Sequence, residues 1–230
     1  MQNIVKNTTN IGLLDLLAPH SCRGCGLIGS PLCDRCKKYI LSSHHDFCPN
    51  CKKSKISDDC LNCPNLPPTY IGGERSGLLG DIIHEYKYNS IRALSKPLAE
   101  IMYQALPISL HNQQSRIVPL PTIGKHIRSR GFDHILSISK HLSKLTGIPI
   151  AKILQRAKDT VQVGTNQKTR QSQASKAYRA TIEPLDPHIT YILFDDVWTT
   201  GASMQACTKI LRQAGAKHIV IAILSVSRIN

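Results

Sequence analysis

Residues 191–203 read Tyr-Ile-Leu-Phe-Asp-Asp-Val-Trp-Thr-Thr-Gly-Ala-Ser, and each part of this stretch has its own physical job. Tyr191 to Phe194 is a short apolar run of the length of a fully buried strand. Two adjacent carboxylates, Asp195 and Asp196, close it. Thr199, Thr200, Gly201, Ala202 and Ser203 follow as hydroxyls and small residues. They lead into a helical pattern of Met204, Cys207, Ile210 and Leu211. A loop between a strand end and a helix start offers free N–H donors and a favourable dipole end to an anion. Gly201 permits positive φ and close approach of the backbone to a phosphate. Acids beside such a nest suit a ligand with vicinal hydroxyls as well as a phosphate, that is, a ribose phosphate. A plain acidic turn and a capped helix would need neither the paired Asp nor the paired Thr.

A second chemistry is written in the cysteines. Eight of the nine fall into four Cys-x-x-Cys pairs: Cys22/Cys25, Cys33/Cys36, Cys48/Cys51 and Cys60/Cys63. Two intervening residues set both thiolates on one turn facing one tetrahedral metal. Four pairs complete two structural zinc sites. Sequential pairing joins the first two pairs and the last two, and the short spacers favour it. An interleaved cross-brace is the alternative. The segment is too small and polar to fold on a core of its own, so metal binding is expected to supply its folding energy. Redox or disulfide pairs are the competing reading, and a cytoplasmic setting argues against them. Cys207 stands alone and reads as a small buried hydrophobe.

The rest of the chain must position these groups. At 230 residues and 41% apolar, it has room for one ordinary domain and a small one. Asn65-Leu66-Pro67-Pro68 marks the boundary, giving residues 1–66 as the zinc module and 67–230 as the second domain. Helical patterns run over 77–88, 92–105 and 133–146, with Gly147 closing the last. Strands are expected at Arg116–Leu120 and His218–Leu224. Strands alternating with helices imply a mostly parallel sheet flanked by helices. Residues 157–178 are polar with few apolar anchors, the composition of a functional lid. No stretch approaches a membrane span. The leucines at 11–17 read as a short docking helix rather than a signal peptide, so the chain is expected to be cytoplasmic.

The formal net charge is +14, lowered to about +10 once two four-thiolate zinc sites are counted. Between Ile101 and Ile182 thirteen Lys/Arg face two acids, Asp133 and Asp159. That asymmetry suits a polyanionic partner.

The 191–203 stretch resembles the 5-phosphoribosyl-1-pyrophosphate (PRPP) signature of type I phosphoribosyltransferases at every position. By that resemblance Asp195 and Asp196 would bind the ribose 2′- and 3′-hydroxyls, and Thr199 to Ser203 would cradle the 5′-phosphate. Trp198 is the free position and carries no assigned role. Val118-Pro119-Leu120-Pro121, then Lys125, Arg128 and Arg130-Gly131-Phe132-Asp133, extend the match. So do Arg156, Thr160, Gln162, Gly164, Arg170 and Ala177-Tyr178. With the cysteine pairs and Lys87, the chain resembles the ComF/GntX family over nearly its whole length. That family joins a double zinc ribbon to a phosphoribosyltransferase-type domain and is associated with DNA uptake in natural competence. This chain departs from the family's Arg-Gly-Phe-Asn-Gln, reading Asp133 and His134 in the last two places. It also has Gln173 and Tyr178 where Asn and Phe are usual.

The resemblance implies a pyrophosphate loop after the Arg116–Leu120 strand, with Leu120, Pro121, Lys125, Arg128 and Arg130 as candidates. It implies magnesium with PRPP, and displacement of pyrophosphate by an acceptor that the sequence does not name. No general base stands out. A rival reading is a non-catalytic factor that binds single-stranded DNA, centred on Lys125, Arg128, Arg130, Lys168 and Arg170, with PRPP as a regulatory ligand. An adaptor for a DNA-translocation ATPase is a third, resting on family association alone.

Overall fold

In a computed structural model the described residues are 20–42, 47–54, 59–157 and 177–227. The leucines at 11–17, Lys168, Arg170 and most of the 157–178 stretch lie outside them.

A short helix, α1 (Asp34–Leu41), belongs to the cysteine-rich part. The remaining elements are β1 (Thr69–Ile71), α2 (Leu78–Tyr88), α3 (Ser95–Ala105), β2 (Ser115–Pro119), α4 (Gly124–Arg130), α5 (His134–Thr146), β3 (Leu154–Arg156), β4 (Tyr178–Ala180), β5 (Thr190–Trp198), α6 (Ala202–Gln213) and β6 (His218–Val226). Four strands form a parallel sheet in the order β1-β6-β5-β2, and β3 and β4 form a separate antiparallel pair. The expected parallel sheet between helices is present. None of the helices among the described residues is long and apolar enough to cross a membrane.

Each face of the sheet buries its own core, as alternating strand residues require. Ile192 and Phe194 of β5 join Leu79, Ile82 and Tyr86 of α2, with Leu98 and Met102 of α3 and Ile135 and Ile138 of α5. Leu193 lies in the second core with Met204, Cys207 and Leu211 of α6 and Leu154 and Tyr178 of the β3–β4 pair. Cys207 is fully buried there, as its apolar helical position implied.

Two elements differ from expectation. Strand β5 does not stop at the acids but runs on to Trp198. Its neighbour β6 is nine residues long and continues the pairing at Asp195 with Ile223, Val197 with Ser225 and Trp198 with Val226. Residues 124–130, which carry the pyrophosphate-loop candidates Lys125, Arg128 and Arg130, form a two-turn helix stopped at Gly131 rather than a loop.

Candidate functional site

The site is built where β5 leaves the sheet. Adjacent residues of a strand project to opposite faces, and this separates the two acids. Asp196 faces α2 and α5. It is 4% exposed, a depth at which an unpaired carboxylate is costly. Lys87 Nζ, from the last turn of α2, lies 2.5 Å from its Oδ2, and Nε2 of His134, the first residue of α5, lies 2.9 Å from the same oxygen. Burial alone would raise the pKa of this carboxyl. The His134 hydrogen bond and the Lys87 ammonium outweigh it and hold the group down at about 2.

Arg130 Nη1 stands 3.0 Å from His134 Nδ1. A guanidinium can only donate, so Nδ1 accepts, and Nε2 carries the proton shared with Asp196. The order Arg130, His134, Asp196 thus links the end of α4 to the end of β5.

Asp195 lies on the other face, toward Tyr178 and Cys207. Burial first, and then the Asp196 charge, push its carboxyl well up, to about 8. The Asp196 backbone N–H donates to its Oδ1 at 2.9 Å. The pair therefore holds one firmly ionised acid and one disposed to keep its proton.

The next five residues turn the chain into α6. Thr199 and Thr200 are exposed. Gly201 has φ +74, the left-handed region, and a Cβ there would stand 2.2 Å from Cζ2 of Trp198. The Trp198 ring, 1% exposed, fills the space a side chain at 201 would need. Trp198 therefore supports the loop. The Ala202 N–H donates to Thr200 Oγ1 at 3.4 Å, and the Gln205 N–H to the Gly201 carbonyl at 2.9 Å. N–H groups of a helix's first turn have no carbonyl within the helix, an arrangement that can receive an anion.

The β3–β4 pair reaches the same loop. Arg156 Nη1 donates to Tyr178 Oη at 3.2 Å, Tyr178 donates to Ser203 Oγ at 3.3 Å, and the Arg156 guanidinium sits over the Tyr178 ring at 4.9 Å.

Beside β5, the Leu120 N–H donates to the Phe194 carbonyl at 2.9 Å, which ties the start of the 120–123 turn to the residue before the acids. Of the cations expected there, Arg130 turns inward to His134, while Lys125 and Arg128 are exposed. Asp133, the acid that departs from the family pattern, caps α5. Its Oδ1 accepts from the Leu136 N–H at 3.1 Å and from Thr122 Oγ1 at 3.0 Å. Its charge serves a helix end and the turn.

The cysteines gather sequentially. Cys22, Cys25, Cys33 and Cys36 form one group and Cys48, Cys51, Cys60 and Cys63 the other, with the sulfurs of each within 4.8 Å of one another. Cys25 and Cys33 are 3.6 Å apart at sulfur, as are Cys51 and Cys60. A tetrahedron with Zn–S bonds of about 2.3 Å has edges of roughly 3.8 Å, so both groups could hold zinc. The first group packs into the core of α2 and α3 through Cys22, Leu32, Cys36 and Ile40. Arg23 pairs with Glu85 at 3.3 Å, and Lys37 pairs with Glu100. The second group leans on α6, where Gln205 Nε2 donates to Asn50 Oδ1 at 2.9 Å and Asn50 Nδ2 to Cys63 Sγ at 3.3 Å.

Comparison with known proteins follows the same lines. Competence protein F of Haemophilus influenzae is 27% identical over 150 residues, covering 62% of this chain and 66% of that one. The chain is similar to Competence protein F over this span. With the two four-cysteine groups, this bears out the resemblance to the ComF/GntX family. The match spans just under two thirds of that relative's length. No family model matches the chain. Two solved structures overlay on 61% of it at 18% identity. One is the allosteric regulatory enzyme of purine biosynthesis (TM-score 0.42, 29% of its length). The other is glutamine PRPP amidotransferase from B. subtilis complexed with ADP and GMP (TM-score 0.40, 30% of its length).

Three residues of the site were not assigned roles from sequence. Lys87 ends a helix with no local mark of what it will meet. His134 reads as an isolated histidine. Trp198 sits at a free position.

Proposed function

We propose that the chain is a ComF-like competence protein whose 67–230 domain binds PRPP and transfers its 5-phosphoribosyl group to an acceptor, with residues 1–66 as a structural double zinc ribbon. The observation that carries this reading is the end of β5. There an acid pair of split character stands beside a left-handed glycine and a free helix N-terminus.

In this reading Asp195 and Asp196 hold the ribose 3′- and 2′-hydroxyls between them, and Thr199 to Ser203 take the 5′-phosphate. The 120–123 turn, with the exposed Lys125 and Arg128, faces the pyrophosphate, while Arg130 holds His134. In the reaction the C1–O bond to pyrophosphate breaks and a bond from C1 to the acceptor forms. Positive charge develops on the ring as the bond breaks, and the ionised Asp196 stabilises it without moving. Asp195, which tends to keep its proton, would have to give it up to serve magnesium as a carboxylate donor beside the substrate phosphates. Magnesium, when bound, would neutralise the departing pyrophosphate. Arg156 and Tyr178 fix Ser203 and thereby the phosphate loop.

Calorimetry with PRPP and magnesium tests binding, and a pyrophosphate-release screen over free bases tests transfer. Micromolar binding with release for at least one base is the expected outcome. No binding at millimolar PRPP would overturn the assignment. Binding without release for any base would leave PRPP as a regulatory ligand.

A further inference from the structure

The second cysteine group is tied to both ends of the 199–203 loop by side chains from one turn. Asn50 and Lys52 flank Cys51. The Asn50 amide donates through Nδ2 to Cys63 Sγ at 3.3 Å, and its Oδ1 accepts from Gln205 Nε2 at 2.9 Å. A metal-bound thiolate can only accept, so the cysteine group fixes which way the amide faces and leaves Oδ1 for α6. Gln205 lies in the first turn of that helix, and its own N–H donates to the Gly201 carbonyl at 2.9 Å.

Lys52 serves the other end. Its Nζ donates to the Ser227 carbonyl at 3.0 Å and stands 5.9 Å from the centre of the Phe47 ring. The Ser227 N–H donates in turn to the Trp198 carbonyl at 3.2 Å, and the Trp198 ring fills the space beside Gly201. The backbone at Lys52 has φ +64, a left-handed conformation that glycine adopts freely and lysine does not. The turn imposes it: the Lys52 N–H donates to the Cys48 carbonyl at 2.8 Å, and the Cys48 N–H donates to the Lys53 carbonyl at 2.9 Å. A turn that only held metal would be better served by glycine. The lysine is explained by what its side chain reaches.

We propose, resting on the reading of 199–203 as the site of the PRPP 5′-phosphate, that the Asn50-Cys51-Lys52 turn positions that loop. Asn50 acts through Gln205, and Lys52 acts through Ser227 and Trp198. Backbone donors bind an anion best when they are fixed before it arrives, and these two contacts fix the loop at its start and at its entry into α6. The first cysteine group has other neighbours. Its Arg23 pairs with Glu85 of α2 and its Lys37 with Glu100 of α3. The first group thus braces the core over α2 and α3, and the second braces the loop.

Trp198 is the chain's single tryptophan, so its fluorescence reports the loop without any ligand. Acrylamide quenching, thermal melting and calorimetry with PRPP and magnesium are run on the zinc-loaded full chain and on Lys52→Gly, Lys52→Arg, Gln205→Met and Lys37→Gln. All four variants leave every cysteine in place. Lys52→Gly and Gln205→Met are each expected to raise the quenching of Trp198 about twofold, as the loop opens more often. Each weakens PRPP about fivefold, because a freed anchor must be ordered on binding. Lys52→Gly should not lower the melting temperature, since glycine relieves the left-handed backbone, and this sets the affinity loss apart from instability. Lys52→Arg keeps a donor for the Ser227 carbonyl and restores both readouts. Lys37→Gln, beside the first group, changes neither. Unchanged quenching in Lys52→Gly and Gln205→Met, or wild-type PRPP affinity in both, would overturn the proposal. So would a loss in Lys52→Gly that Lys52→Arg shares. If the wild-type chain binds no PRPP, the PRPP reading fails, and the quenching comparison still decides whether the turn holds the loop.

Discussion

His134 Nε2 lies 2.9 Å from Asp196 Oδ2, and the same oxygen lies 2.5 Å from Lys87 Nζ. A family-pattern departure in sequence is thus a working contact: where glutamine is usual, histidine still presents an N–H to the acid. Glutamine can do the same, so His134→Gln is expected to keep both the fold and PRPP affinity within about threefold. His134→Leu removes the donor and Lys87→Met removes the charge. Each leaves a buried carboxylate partly unpaired, a loss on the order of 3 kcal/mol. Thermal melting and PRPP calorimetry on the three variants check this. Unchanged affinity in His134→Leu would show that Asp196 does not depend on the contact.

Asp195 gives the pH dependence. Its folded-state pKa is raised to about 8 by burial and by the Asp196 charge. An acid raised in the folded state favours folding fully below the unfolded value near 4, and that contribution is lost as pH rises toward about 8. Asparagine at this position keeps the acceptor for the Asp196 N–H and cannot ionise. Asp195→Asn is therefore expected to be close to neutral at pH 4 and progressively stabilising up to pH 8. The gain is bounded by about 1.4 kcal/mol per pH unit and reduced by the residue's partial exposure. The same variant should lose PRPP affinity. Denaturant titrations at several pH values read the slope, and a gain that is flat with pH would mean that Asp195 is ionised in the folded state throughout.

Much of this site was legible because its signals are local. The strand, the acids and the helix start occupy thirteen consecutive residues, and each cysteine pair is a single turn. Lys87, His134 and Asp196 are brought together only by tertiary packing: α2 and α5 meet over β5, and nothing near Lys87 records that meeting. The length of β5 was hidden for a similar reason. Its last residues are held by β6, so the acids that read as a strand end are in the ladder. Trp198 was hidden because its partner is an absent side chain.

The two four-cysteine groups pack against the two cores, which shapes what metal removal would do. Cys22, Leu32, Cys36 and Ile40 pack with α2 and α3, and Leu66 and Phe47 pack against the core under α6. Two zinc equivalents per chain are expected by metal analysis. Chelation should lower the melting temperature of the whole chain, because losing the metal exposes apolar residues of the shared core. Hydrogen exchange after chelation should show loss of protection in α2 as well as in residues 20–42. Protection confined to its original level in α2 would show that the first group folds separately from the sheet.

The Gly201–Trp198 packing allows a test that does not depend on any ligand. A Cβ at 201 would meet Cζ2, Cε2 and Cη2 of Trp198 at 2.2, 2.6 and 2.9 Å, and φ +74 is itself unfavourable for alanine. Gly201→Ala is therefore expected to cost about 1 kcal/mol for the backbone and a further 1–3 kcal/mol, roughly, for overpacking against a ring with nowhere to go. Trp198→Phe removes much of the ring that clashes, at the cost of a void in a fully buried position. Separately the two substitutions destabilise; together the new methyl group occupies part of the space the smaller ring vacates. The double variant should be more stable than the sum of the single effects predicts, by about 1–2 kcal/mol. The backbone part of the Gly201→Ala cost remains, so full rescue is not expected. Urea denaturation of the four proteins gives the coupling. Strict additivity would show that the loop rearranges around the methyl group and that Trp198 is not what holds Gly201 in place.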